Sequence, residues 1–233
     1  ILSAVLVIGV STLLAYTAVK FFVQQKNVEE TGNVLGISWY NETTTEFIIS
    51  TPEELREFAR LSEYYTFENQ TVKLDADLVL NEGNAADFKE NKPANNWKPI
   101  MNFAGTFDGG NKSITIAFVD KYEYMTTSSG NNRGNCSGLF TYLYNNGTND
   151  TIIKNVGVKG SISASSVTGI YNVGGIAGAI GCENNSVSQT GDIIIENCVS
   201  EVDIKCGANY HGGIIGETSE RAASGKTVTI SKC

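Results

Sequence analysis

The sequence predicts a mainly β fold, a parallel β-helix (solenoid) head with a short capping helix, carried on a long hydrophobic N-terminal α-helix. Three observations predict it. The segments SGLF (137–140), GGIAG (174–178) and GGIIG (212–216) align on Gly138, Gly175 and Gly213, 37 and 38 residues apart. Fixed internal periodicity of this kind marks a repeat that buries each unit's apolar face against its neighbours. After each segment comes a polar, variable loop and then a run such as TIIKNVGVKGSI or IIIENCVSEVDI, whose apolar residues alternate as strands require. Finally, residues 1–23 are apolar on all sides, whereas everything after Gln24 is polar, Gly-rich and Asn-rich.

An N-terminal segment that is apolar all round must be buried on every side if it is helical. Its 23 residues, at about 1.5 Å each, make a rod of roughly 35 Å, long enough to cross a hydrocarbon core of about 30 Å. A cleaved secretory signal fits poorly, because the stretch is too long for an h-region and has no Lys or Arg before Lys20. A membrane anchor fits its hydrophobicity. A third reading, in which a basic leader has been removed directly in front of Ile1, explains the absent Met and basic flank. That layout resembles the type IV pilin superfamily over residues 1–30, although Ile1 and Val5 stand where bacterial pilins usually carry Phe and Glu, which points to an archaeal-type member. The resemblance implies a helix that sits in the membrane before assembly and then packs against its own copies. The residues expected to carry that role are Ile1, Leu2, Val5, Leu6, Val7, Ile8, Val10, Leu13, Leu14, Val19, Phe21 and Phe22.

The rod is expected to end near Val28, where Lys26 suits a helix C-terminus and Gly32 and Asn33 stop it. Residues 31–50 then read as a linker and first strand, and residues 51–233 as the head. TPEELREFARL (51–61) predicts a helix with Thr51 as N-cap, Pro52 at the first helical position and Glu54 closing a capping box. Its apolar residues Phe58, Ala59 and Leu61 give it a side with which to cover the end of the repeat. TVKLDADLVL (71–80) alternates as one strand, and FAGTFDGGNKSITIAF (103–118) places a DGGN turn, Asp108 to Asn111, ahead of a strand from Ser113 to Phe118. In the later units Asn155 aligns with Asn197, Val156 with Cys198 and Ile162 with Ile204.

Composition narrows the function. A net charge of -8 without any run of Lys or Arg argues against nucleic acid, since phosphate binding needs clustered cations. Five cysteines form no CxxC pair and His211 is the only histidine, so neither a zinc site nor any cofactor is expected. Cys198 and Cys233 fall at equivalent places in successive units, and a spacing of about 4.8 Å between neighbouring strands lies within disulfide range, so this pair is a candidate bridge. Seven Asn-x-Ser/Thr sequons, at Asn41, Asn69, Asn111, Asn135, Asn146, Asn149 and Asn184, point to an exported, glycosylated surface.

An enzyme on this scaffold needs clustered carboxylates. The nearest candidates, Glu201 and Asp203, share one strand face but align with Lys159 and Ser161 in the unit before, so no acid pair extends across units and no catalytic residue is assigned. Asp108 is expected to cap its own turn, and His211 to be a polar surface residue. Tyr64, Tyr65, Tyr122, Tyr124, Tyr142, Tyr144 and Tyr171 are candidates for stacking on surface glycans.

The head also resembles surface proteins with GLUG-type repeats. The matching residues, spread over 51–233, are TPEELREFARL, LDADLVL, NWKPI (96–100), FAGTFDGGNKSITI, SGLF, the GGI-x-G corners and the I-x-NC strands. This resemblance implies a right-handed β-helix with a cell-surface, adhesin-like role and no catalytic site. The two resemblances together imply a subunit of an extracellular filament, inserted in the membrane before assembly, whose main partner is its own copies. The alternative is a membrane-anchored cell-surface adhesin or binding module that does not polymerise. The final TISKC leaves two expectations open: Cys233 closes an incomplete last unit, or the native protein runs on.

Overall fold

The computed structural model describes residues 43–81, 93–101, 103–119, 136–143, 149–164, 172–180, 191–207, 210–218 and 227–233. All of these fall in one unit, Tyr40–Cys233. The expected N-terminal helix and every residue named for it lie outside the described residues. So do Asn41, Asn135, Asn146 and Asn184, and Tyr122, Tyr124, Tyr144 and Tyr171. Among the described residues no helix is long and apolar enough to cross a membrane.

The described elements are, in order, β1 (Glu46–Ile49), α1 (Pro52–Leu61), β2 (Thr71–Leu74), β3 (Leu78–Val79), β4 (Thr106–Val119), β5 (Cys136–Ser137), β6 (Phe140–Leu143), β7 (Thr151–Ala164), β8 (Asn172–Gly174), β9 (Ala177–Ile180), β10 (Ile193–Glu196), β11 (Val199–Cys206), β12 (Tyr210–Gly212), β13 (Ile215–Thr218) and β14 (Val228–Ser231). They form three sheets. The largest has the order β1-β2-β4-β7-β10-β14, with β3 beside β4 and β11 beside β7; the others are β5-β8-β12 and β6-β9-β13. Each pairing is parallel and joins a strand to the equivalent strand of the next unit.

This corrects the expected architecture. The structure is mainly β, with parallel sheets and one short helix, but it is not clearly a right-handed β-helix, and no long N-terminal helix is among its described elements. The units are too unequal for a uniform coil. Among the described residues only the three Gly-corner segments supply strands to the two small sheets, and the region before them contributes isolated bridges, Ile100 to Phe140 and Phe103 to Leu143. In the large sheet β4 and β7 each run for 14 residues, while the next row is split into β10 and β11.

Two smaller expectations also change. The 71–80 strand is broken at Asp75–Asp77, because the Asp77 carboxylate turns to accept hydrogen bonds from Ser113 N (2.7 Å) and Ser113 Oγ (3.0 Å). The DGGN segment is a bulge inside β4 rather than a turn before a strand: Asp108 pairs with Lys154 and Lys112 with Val156, leaving two extra residues on the β4 side.

Helix α1 forms for the local reasons its sequence supplies. Glu54 N donates to Thr51 Oγ1 (3.2 Å) and Thr51 N donates back to Glu54 Oε2 (3.0 Å), so two N–H groups without helical partners are satisfied. Leu55, Phe58, Ala59 and Leu61 form the buried side. Phe58 meets the rings of Phe67, Phe103 and Phe107 at centroid distances of 4.9, 5.7 and 6.0 Å, and Phe140 joins from β6. Edge-to-face contacts such as the first two add to the burial of the rings. From the NWKPI segment, buried Trp97 donates its Nε1–H to Gly138 O (3.0 Å) and its backbone N–H to Ala117 O (2.7 Å), tying the large sheet to the first Gly corner. At that corner Leu139 N donates to Gly175 O, and Gly175 N to Gly213 O. Ser137 pairs with Val173 and Gly212 with Gly174, so Leu139 rather than Gly138 lies level with Gly175 and Gly213, one residue off the alignment expected for the first unit.

Candidate functional site

Polar side chains from successive units converge where the strands of the large sheet bend, between β10 and β11 and at the bulge of β4. Asn111, Asn155 and Asn197 all have positive φ, 60°, 55° and 53°. Asparagine tolerates this left-handed conformation better than most residues because its short amide can bond locally. Here the amides bond one another. Asn197 Nδ2 donates to Asn155 Oδ1 (2.8 Å) and lies 3.4 Å from Asn111 Oδ1, while Asn155 Nδ2 donates to Asp108 Oδ1 (3.0 Å).

Asp108 anchors the row. It also accepts from Gly110 N (3.1 Å), the self-capping expected from the sequence, and its Oδ2 lies 3.6 Å from Lys154 Nζ. Partial burial opposes its ionisation. The hydrogen bonds from Asn155 and Gly110 and the nearby Lys154 charge outweigh that effect and hold the carboxyl below its ordinary value. A carboxyl held ionised in this way is an acceptor and an ion-pair partner, and a poor proton donor at neutral pH.

A second row lies five residues upstream. Asp150 Oδ1 accepts from Asp192 N (2.8 Å), and Asp192 Oδ1 accepts from Thr227 N (2.9 Å), so each side chain caps the entry of the next unit's strand. Sequence reasoning missed this row. The signal was present, since Asp150 and Asp192 each precede an aligned Asn by five residues.

The acids weighed for catalysis stay apart. Glu201 pairs in register with Lys159 (3.7 Å), as the alignment predicts, and Asp203 sits 3.6 Å from Lys205. All four are exposed, and no group of three or more His, Cys, Asp and Glu suited to a metal occurs among the described residues. His211 is exposed on β12. Of the described tyrosines, Tyr142 is buried with Cys136 and Ala179, whereas Tyr64 is exposed and Tyr65 half-buried just after α1. Near Tyr142, Asn172 Nδ2 donates to Glu217 Oε2 (2.7 Å) and lies 3.5 Å from Cys136 Sγ, a grouping across the small sheets that the sequence did not suggest.

Of the sequon asparagines, Asn69, Asn111 and Asn149 are described and all are exposed. Asn149 donates its amide to Asn69, so two sequons 80 residues apart meet on the surface. Asn111 belongs to the asparagine row. Cys198 and Cys233 are free thiols at positions one unit apart.

Comparison with protein-family models, with curated proteins and with solved structures gives no match to this chain.

Proposed function

We propose that the chain is a structural subunit of an extracellular, type IV pilus-like filament. In this reading residues 1–23 pack with their copies in the filament core after a stage in the membrane, and the parallel-sheet body is displayed outside, glycosylated, for surface adhesion. The observation that carries the reading is how the described polar groups are used. Asp108, Asn155, Asn197, Asp150 and Asp192 bond to neighbouring units or to their own turn, Glu201 and Asp203 stand beside lysines, and the described sequon asparagines are exposed. Such a body supports itself unit by unit and offers a surface, and the all-round apolar segment offers a means of assembly. Association is driven by burying that segment, at about 25 cal/mol per Å² removed from water, less what leaving the membrane costs.

The test is Val7→Lys or Leu14→Lys in the full chain, read by electron microscopy of sheared surface material together with circular dichroism. The expected result is loss of filaments with the strand signal intact. Filaments of normal length from either variant overturn the proposal. Recovery of the unaltered chain only as detergent-bound monomer overturns it in favour of a plain anchor.

A further inference from the structure

The last described strand of the large sheet, β14, is four residues long, and a pair of sulfurs sits beside it. β14 pairs with β10 over four residues, from Ile193 with Val228 to Glu196 with Ser231. Two residues on, that register sets Cys198 against Cys233. The two thiols have matching surroundings. Cys198 Sγ lies 3.3 Å from Glu196 O and 3.7 Å from Ile153 O; Cys233 Sγ lies 3.2 Å from Ser231 O and 3.8 Å from Ile195 O. Each thus touches the carbonyl two residues before it and the carbonyl of the same residue in the preceding unit, so one sulfur is stacked on the other. Strands so paired lie about 4.8 Å apart, within the Cα separation of roughly 4.4–6.8 Å that a disulfide accepts.

We propose that Cys198 and Cys233 are a disulfide-forming pair that fastens β14 to the sheet in an oxidising compartment. Their exposures set the order of events. Cys233 is exposed and Cys198 buried, and burial pushes the Cys198 thiol up to about 11, so it is not the sulfur that reacts first with an external oxidant. With a small disulfide such as oxidised glutathione, the Cys233 thiolate attacks one sulfur, forming a mixed disulfide and releasing one glutathione. Cys198 sulfur then attacks Cys233 sulfur, the second glutathione leaves as thiolate and takes the Cys198 proton. Two thiols are oxidised to one S–S bond and the glutathione disulfide is reduced to two thiols.

The experiment uses the full chain in detergent, incubated with oxidised glutathione, quenched with an alkylating reagent and digested without reduction. Mass spectrometry is expected to find the Cys198 and Cys233 peptides linked and lighter by two hydrogens. Hydrogen exchange is expected to slow at Val228–Ser231 by roughly tenfold or more, because local opening of β14 is then restricted. Cys233→Ser, which changes an exposed side chain and leaves the core untouched, is expected to leave Cys198 unmodified in the folded chain and to abolish the exchange effect. A glutathione adduct that persists on Cys233 beside a free Cys198 thiol overturns the proposal, as does linkage of either residue to another cysteine or unchanged exchange at β14 in the linked form.

Discussion

Phe47 and Ile230 stand at opposite ends of one column of side chains in the large sheet, which runs Phe47, Val72, Phe107, Ile153, Ile195, Ile230 through successive registers. Phe47 is 5% exposed and the next four are fully buried, but Ile230 is 46% exposed. The column Phe118, Ile162, Ile204 declines in the same direction, with the first two buried and Ile204 half-buried. α1 and a cluster of phenylalanines pack beside the first registers, whereas β14 is four residues long and Ile230 on it is half-covered. Because a repeat buries each unit against its neighbour, the same residue type contributes in proportion to what lies on its far side. Truncating a buried residue of the first registers is therefore expected to cost more than truncating Ile230.

The largest test of that difference sets Phe58→Ala against Ile230→Ala. Phe58 is fully buried among three aromatic rings, and its truncation is expected to cost about 3–5 kcal/mol, whereas Ile230→Ala is expected to cost less than about 1 kcal/mol. Denaturant unfolding measures both, and equal costs would break the comparison.

Next comes the sulfur pair. A bridge closing the loop between Cys198 and Cys233 is expected to stabilise by about 2–4 kcal/mol, a rise in Tm of roughly 10 °C. The gain belongs to β14, so it is expected to persist when Phe58→Ala has loosened the packing around α1, because distant sites add. Thermal melts of the oxidised and reduced chain, with and without Phe58→Ala, measure this.

The asparagine row gives a smaller, pH-dependent effect. Asp108 has its folded pKa lowered below the ordinary value of 3.8. Its ionised form therefore contributes stability that is present above that value and is lost as pH falls through the lower folded pKa. Relative to wild type, Asp108→Asn is expected to be less stable at neutral pH and to converge with it as pH falls through the lowered folded pKa. Asp77, lowered mainly by its backbone hydrogen bond from Ser113 and then by the Ser113 hydroxyl, is present in both proteins and cancels in the difference. A gap in Tm that stays constant from neutral to acid would remove the anchoring role of Asp108.

What could be read from the sequence was local or periodic. The capping box at Thr51 and Glu54, Gly175 against Gly213, Lys159 against Glu201 and Cys198 against Cys233 all follow from spacing alone, whereas the first unit's Gly138 was aligned one residue off. Contacts that join unlike segments were not legible. Asn111 was read only as a turn residue and sequon, because the two extra residues of the β4 bulge displace it from a simple alignment with Asn155. Trp97 spans 41 residues to bond Gly138, and Ser113 reaches back 36 to Asp77, distances at which no pattern of one segment constrains the other. The right-handed β-helix was not borne out for a related reason. Alternation reports which side of a strand is buried, but it is silent on whether every unit supplies the same number of strands, and among the described residues they do not.

The smallest prediction concerns the next position in the asparagine row, where Lys232 follows Asn197 and has φ 54°. A lysine in the left-handed region bears the steric cost of its Cβ without the local amide bonding available to asparagine. Lys232→Asn is expected to relieve part of that cost and to offer Asn197 another amide, stabilising the chain by about 0.5–1 kcal/mol. Lys232→Ala keeps the Cβ and supplies no amide, so no gain is expected from it. The measurement is the denaturant midpoint at unchanged m value, which isolates stability from changes in compactness. If asparagine and alanine behave alike, the row acts only at its buried end near Asp108. If asparagine alone stabilises, the row propagates as far as β14, and the exposure of Ile230 rather than a failing polar row sets the low cost of truncating it.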